Sequence, residues 1–270
     1  MICTLGDLLL DVVVRLESPV VVDADTYGRT RVGPGGQAAN VAAWIAALGG
    51  TARFLGKRAA DPAGRIVAGE LRRRGVELAG PEVGAGTGTV VSIAASDGTR
   101  TMLTDRGVSL DFRPHELDVA WLASCRVLHL PTYSLARAPI RETALAAAEE
   151  AKRTGARVTL DLSSTTVLLE LGNASLRDLL VDLRPAVVFG NEEELAVAGG
   201  VEASTIVVKR GAAGCVVRRD GDRRDYEAKP ADVVDTTGAG DAFAAGFLLG
   251  GPELALASAA RCVATMGALP

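Results

Sequence analysis

The chain opens on a short apolar run, Ile2–Leu5, that reads as a strand entering Gly6-Asp7. Val12–Leu16 and Tyr27–Val32 read as extended pieces on either side of a polar stretch. After Gly33-Pro-Gly-Gly36 the period becomes helical. Val41, Trp44, Ile45 and Leu48 fall at i, i+3, i+4 and i+7, and Gly49-Gly50 ends the helix. Asp61-Pro62 supplies an N-cap and a proline at the first helical position, which predicts a helix to about Arg74 that Gly75 stops. Thr89–Ala95 and Arg100–Thr104 are β-prone runs joined by Ser96-Asp97-Gly98-Thr99, a hairpin signal.

From residue 126 the pattern alternates. Strand Val127–Leu130 precedes a helix near 139–153 with Ile140, Ala144, Leu145 and Ala148 on one face. Strand Arg157–Leu162, a helix near 175–182, strand Ala186–Phe189, a helix near 192–198 and strand Thr205–Lys209 follow. These strands are nearly continuous apolar runs with short links to the helices, which predicts βαβ units and a parallel sheet buried on both faces. Residues 214–228 read as another hairpin, and helices near 239–250 and 253–266 complete the chain.

Composition narrows the class. The 270 residues suit one domain. A net charge of −4 without a Lys/Arg stripe argues against a nucleic-acid binder. Arg72–Arg74 reads as a solvated helix face. No apolar run is long enough to span a bilayer and no signal peptide is visible, so no membrane partner is expected. The four cysteines, Cys3, Cys125, Cys215 and Cys262, are dispersed, so neither structural zinc nor a disulfide framework is expected and the cytoplasm is the expected compartment. Glycine is in excess, 31 residues with no Gly-X-Y period, which points to local use in turns or beside ligands.

The string Asp235-Thr-Thr-Gly-Ala-Gly-Asp-Ala-Phe243 carries the strongest chemical signal. Its glycines precede a helix bearing Phe243 and Phe247 on one face. A glycine turn at a helix N-terminus offers backbone N–H groups to an anion. An isolated Gly-x-Gly-Asp reads first as a helix cap; the complete string is far more specific. It is neither a Walker A loop nor a dinucleotide fingerprint, which disfavours a dehydrogenase.

Asp-Thr-Thr-Gly-Ala-Gly-Asp resembles the C-terminal signature of the ribokinase-like (PfkB) carbohydrate kinases, and Gly35-Gly36-Gln-Ala-Ala-Asn40 resembles their N-terminal signature. Gly6…Asp11, Gly56…Asp61-Pro-Ala-Gly64 with Arg74-Gly75-Val76, Asn191-Glu-Glu-Glu194 and Lys209-Arg-Gly-Ala-Ala-Gly214 are similar to further family landmarks, in the family's order and across the chain. The resemblance implies a three-layer α/β/α ribokinase-like fold over residues 1–270. A small β lid near 12–34 and 87–105 would often pair between subunits into a homodimer.

The implied activity is ATP-dependent phosphorylation of a hydroxyl, usually a CH₂OH, on a sugar, polyol or nucleoside. A nucleoside kinase or a non-catalytic sugar- or nucleotide-binding relative are the alternatives; the pairing of Asp241 with the glycine turn disfavours a pure binder. The resemblance gives Asp241 the role of general base and makes Gly238, Ala239 and Gly240 an anion hole. Asp11, Gly35, Gly36 and Asn40 would contact the acceptor; Asn191, Lys209, Gly211 and Gly214 the nucleotide. Glu194 would hold Mg²⁺ through water, and Asp235 and Thr237 a monovalent cation such as K⁺. Asn191 also reads as the N-cap of its helix. Asp7 reads equally as an acceptor contact or a turn residue, and Arg106 as a substrate, lid or surface arginine. His129 reads as a core histidine. Pro131 stands where some sugar kinases have a polar contact. Asp161-Leu-Ser-Ser departs from the Asp-x-Asn-x-Arg of several sugar-kinase subfamilies, so no arginine is available there for the phosphates, which argues against a fructose- or ketodeoxygluconate-type subgroup.

Overall fold

The computed structural model describes residues 1–95 and 100–270; the turn expected at Ser96-Asp97-Gly98-Thr99 lies outside them. In chain order the first half contains β1 (Ile2–Leu5), β2 (Leu9–Leu16), β3 (Gly28–Gly35), α1 (Gln37–Ala47), β4 (Ala52–Leu55), β5 (Arg58–Ala59), α2 (Pro62–Arg73), β6 (Glu77–Ala79), β7 (Glu82–Val83), β8 (Thr87–Ala94) and β9 (Arg100–Gly107). The second contains β10 (Val127–Pro131), α3 (Tyr133–Ala136), α4 (Ile140–Arg153), β11 (Arg157–Asp161), α5 (Thr165–Leu171), α6 (Asn173–Leu183), β12 (Val187–Asn191), α7 (Glu192–Ala198), β13 (Thr205–Lys209), β14 (Cys215–Arg219), β15 (Asp222–Tyr226), α8 (Ala239–Gly250) and α9 (Pro252–Val263).

Among the described residues nine strands form the main sheet in the order β15-β14-β13-β12-β11-β10-β1-β4-β6. They pair in parallel except at the β13–β14 and β14–β15 ladders. Alternate residues serve opposite faces, as strand geometry requires. Cys3, Leu128, Val158 and Val188 face the cluster containing α4–α6, whereas Ile2, Phe54 and Val127 face α1, α2 and α8. Phe189, Phe243 and Phe247 form a third cluster with α9. Full burial of Phe54, Phe112 or Phe189 contributes roughly 1.5–3 kcal/mol each.

The order reverses beside β1: the chain builds outward to β4 and β6 on one side, then to β10–β13 on the other. Such a switch point opens a crevice at the C-terminal ends of the strands. Above it lies a four-stranded sheet, β3-β2-β8-β9, antiparallel except for β2–β8. Asp61 fixes one corner of this arrangement. It caps α2 through Gly64 N–H (2.8 Å) and accepts from the Thr87 hydroxyl (2.6 Å) and the Gly86 and Thr87 N–H groups (2.9 Å each). Those bonds, the Thr87 hydroxyl's foremost, hold its carboxyl well below the usual range.

Several expectations need amendment. β2 and β3 extend beyond the sequence-read segments because they pair with each other over all eight residues. The helix near 175–182 is preceded by α5, a seven-residue helix capped by Ser164, too short to show a period. Arg74 is not simply solvated: it pairs with Glu70 and donates to the Pro270 carbonyl. All four cysteines are free and buried. His129 is in the core, its Nδ1 3.0 Å from the Thr159 hydroxyl, but its Nε2 has no partner; burial lowers its pKa to about 4 and keeps it neutral. Among the described residues no helix is long and apolar enough to cross a membrane.

Candidate active site

A cleft of about 450 Å³ opens between the two sheets at the C-terminal ends of the main strands. Asp7 follows β1, Tyr133 follows β10, Ser163 follows β11, Asn191 ends β12 and Lys209 ends β13; all five line it. Asp11 of β2, Gly36 and Asn40 of the α1 start, and Gly238, Gly240 and Asp241 of the α8 start also line it.

Two helix N-termini converge here. Gly36, the residue before α1, has φ +96°, and a Cβ there would strike the Asp7 carbonyl. Gly238, before α8, has φ +76°, and its Cβ would meet the Ala268 backbone. Only glycine suits either turn. The helices are joined by Asn40 Nδ2, which donates to Asp241 Oδ2 at 2.8 Å. Burial pushes Asp241 up to about 7, with Asp161 and Asp11 adding to the rise and the Asn40 bond and Lys209 opposing it. Asn40 Oδ1 is buried without a partner. Asp11 lies against the bare Cα of Gly35, where any Cβ would collide with its carboxylate, and burial raises it to about 6.

On the opposite wall, Lys209 Nζ donates to both Asp161 oxygens at 3.0 and 3.1 Å. Burial alone would lower the lysine pKa; Asp161 and then Glu194 outweigh it and raise it. Asn191 and Glu194 cap α7 reciprocally: Asn191 Oδ1 accepts from Glu194 N–H (2.7 Å) and Glu194 Oε2 from Asn191 N–H (2.8 Å). Glu194 is buried, which raises its pKa against the pull of Lys209, whereas Glu192 and Glu193 are exposed. Gly211 lines the cleft, but Gly214 does not: its φ of +83° serves the turn into β14, against the Tyr226 carbonyl. Ala239 also lies off the lining, and its N–H makes a long bond, 3.3 Å, to the Thr236 carbonyl.

The α8 start is braced by the chain end. Asp235 accepts from Thr237 N–H (2.9 Å) and hydroxyl (2.7 Å) with one oxygen and from Gly267 N–H (2.9 Å) with the other. Trp44 Nε1 donates to the Ala268 carbonyl at 2.8 Å. Sequence reasoning missed this brace, Tyr133 and Ser163, and the Asp161–Lys209 pair; the departure at Asp161-Leu-Ser-Ser was the one visible sign of the last.

Arg106 carries the smaller sheet down to the main one. Its guanidinium makes a two-pronged bond to Asp7, 2.6 and 2.8 Å, and lies 6.0 Å from the Tyr133 ring centre. Both side chains are nearly buried, so removing one strands the other's charge. Arg106→Ala is expected to lower stability by about 3 kcal/mol or more, and Asp7→Asn with Arg106→Gln to lose less than the two single changes added together. Urea unfolding of the wild type, Arg106→Ala, Arg106→Gln, Asp7→Asn and the double variant checks this; strict additivity of Asp7→Asn and Arg106→Gln would refute the coupling.

A cleft at a switch point, with a carboxylate and two glycines at one helix start and a lysine across from them, suits phosphoryl transfer to an alcohol group. The model of the pfkB family of carbohydrate kinases matches residues 1–269, and the chain belongs to that family. It is 32% identical to a fructokinase of Klebsiella pneumoniae, aligned over 100% of this chain and 96% of the relative. It is 33% identical to a fructokinase of Salmonella typhimurium, over 90% and 82%. In fold it resembles the crystal structure of adenosine kinase from Sinorhizobium meliloti, with a TM-score of 0.85 and 24% identity over 100% of this chain and 95% of that one. The protein is thus an ATP-dependent carbohydrate kinase with a three-layer, ribokinase-like α/β architecture.

Proposed function

We propose that the cleft phosphorylates a neutral sugar, with Asp241 as general base. The observation that carries this is the Asn40–Asp241 bond: it ties the carboxylate at the α8 start to the helix that floors the acceptor end. A hydroxyl is a weak nucleophile, and a positioned carboxylate takes its proton as the oxygen attacks the γ-phosphorus and ADP departs. Gly238 and Gly240 face the cleft at the positive end of α8, where charge on the transferring group is stabilised. Asp11, Gly35, Gly36 and Asn40 form the acceptor end. Arg106, the cation there, is already paired with Asp7, which favours a neutral polyhydroxyl molecule over a sugar acid.

ATP would lie along Asn191, Lys209 and Gly211, with Gly214 shaping the hairpin behind them. The oxygen donors of Asn191 and Glu194 suit Mg²⁺, a hard cation that keeps much of its water; when bound it would neutralise phosphate charge. Asp235 and Thr237 would belong to a loop that holds a monovalent cation such as K⁺. Val32 and Leu103 are exposed on the smaller sheet, which would act as a lid and pair between two copies. Four free, buried thiols agree with a reducing, cytoplasmic setting.

The test is ADP formation from MgATP across D-fructose, other hexoses, pentoses, polyols, sugar acids and nucleosides. Turnover with a neutral sugar, D-fructose first in view of the relatives, is expected. Turnover with nucleosides alone would replace the sugar assignment by a nucleoside kinase. No turnover with any acceptor would leave a binding protein.

A further inference from the structure

Among the described residues two cations line the cleft, Arg106 and Lys209, and Arg106 is neutralised by Asp7. Lys209 is therefore the cation left to meet an anion, although it too has a carboxylate beside it. The details of that pairing matter. Asp161 is fully buried and Lys209 Nζ reaches both of its oxygens, whereas the lysine side chain keeps 17% of its surface exposed. A fully buried carboxylate cannot follow a ligand into the cleft; it can only hold the ammonium at one place. An ammonium has three N–H donors, so this anchoring leaves donor capacity toward the open side.

The place is specific. Lys209 Nζ lies 3.5 Å from the position that a Cβ on Gly240 would occupy and, among the described residues, is the one neighbour from outside the helix within 4 Å of it. It is also close enough to Asp241 for each to move the other's pKa. The ammonium therefore stands at the N-terminal end of α8, next to the Asp241 carboxylate. The β12–β13 ladder sets Lys209 directly opposite Asn191, so one sheet edge presents both.

We propose that Lys209 binds the terminal, transferring phosphoryl group of ATP, and that Asp161 is its positioning residue. This rests on the kinase reading above. Proximity to Asp241 favours the terminal group over the inner phosphates: the base must stand at the incoming hydroxyl, beyond the γ-phosphorus, and Lys209 lies beside that base. The ammonium supplies the phosphate-directed charge that the sequence, lacking an arginine after Asp161, does not supply from β11. The nucleotide that has lost its γ-phosphoryl loses this contact, so the pair makes the site distinguish ATP from ADP and weakens its hold on product.

The experiment compares AMP-PNP and ADP by calorimetry, both with Mg²⁺. Lys209→Met is expected to weaken AMP-PNP by about 30-fold, the scale of one charge-assisted hydrogen bond, and to leave ADP nearly unchanged. Lys209→Arg should retain most of the preference. Asp161→Asn should lose part of it and Asp161→Glu regain it, a pattern that general destabilisation would not give. Equal weakening of both nucleotides by Lys209→Met, or no weakening of either, overturns the assignment. A wild-type protein that binds neither nucleotide overturns the kinase reading, and this inference with it.

Discussion

Asp241→Asn is expected to lower turnover by roughly a hundred- to ten-thousand-fold, the range that a general base contributes, while nucleotide binding stays close to that of the wild type. The amide preserves the shape and can still accept from Asn40, whose Nδ2 donates to Asp241 Oδ2 at 2.8 Å, but it cannot take a proton. The pH dependence follows from the same residue. Burial raises Asp241 to about 7, and only the carboxylate form acts as base, so kcat/KM of the wild type should fall as pH drops through the region near 7. Asp11, raised to about 6 by burial, interacts with Asp241, so the acid limb reports the pair rather than one group.

Stability should move the opposite way. A carboxyl whose folded pKa lies above its unfolded value costs the fold nothing while both states are protonated. Its cost grows as pH rises from about 4 to about 7 and then levels off. Asparagine has no such cost. The variant should therefore melt above the wild type at pH 8, by a margin that shrinks as pH falls toward 4. Turnover near the wild-type rate would remove Asp241 from the role of base. A margin independent of pH would show that its carboxylate is not strained by burial.

How much of this was open to sequence reasoning depends on the distance over which each feature is encoded. The α1 stripe of Val41, Trp44, Ile45 and Leu48 was visible because a helix repeats its pattern within a few turns. The same helix is buried over almost its whole circumference, from Ala38 to Ile45, and this was hidden because alanine is silent about which side it faces. α5, with seven residues between Ser164 and Gly172, offers too little sequence for any period to register. The two glycine turns were legible as composition, yet the reasons each must be glycine lie far off in sequence: Gly238 against Ala268, Gly36 against Asp7, Gly35 against Asp11. Ion pairs show the same limit. Asp7 and Arg106 are 99 residues apart and Asp161 and Lys209 are 48 apart. Nothing local marks them as partners; only the sheet order brings β11 within one strand of β13 and hangs β9 above β1.

Gly240→Ala separates the anion hole from the fold. Unlike Gly238, Gly240 has no left-handed backbone angle, and beyond its own helix a Cβ there meets, among the described residues, Lys209 Nζ at 3.5 Å, ordinary contact. Because Gly240 is the second residue of α8, alanine should stabilise the protein, by about 0.5–1 kcal/mol from the smaller entropy loss on folding. The methyl group nevertheless projects into the space beside Lys209 and Asp241 where the transferring group would sit. Displacing that group by about 1 Å can cost about a hundred-fold. The expected result is thus a protein that melts at or above the wild-type temperature and turns over at about one hundredth of its rate or less. Gly238→Ala is the contrast: its φ of +76° and its approach to Ala268 should cost both stability and activity. Thermal melts and steady-state rates on the two variants check this. If Gly240→Ala keeps full turnover, the phosphoryl group is not held at the start of α8, and the assignment of that helix end as the anion hole fails while the fold stands.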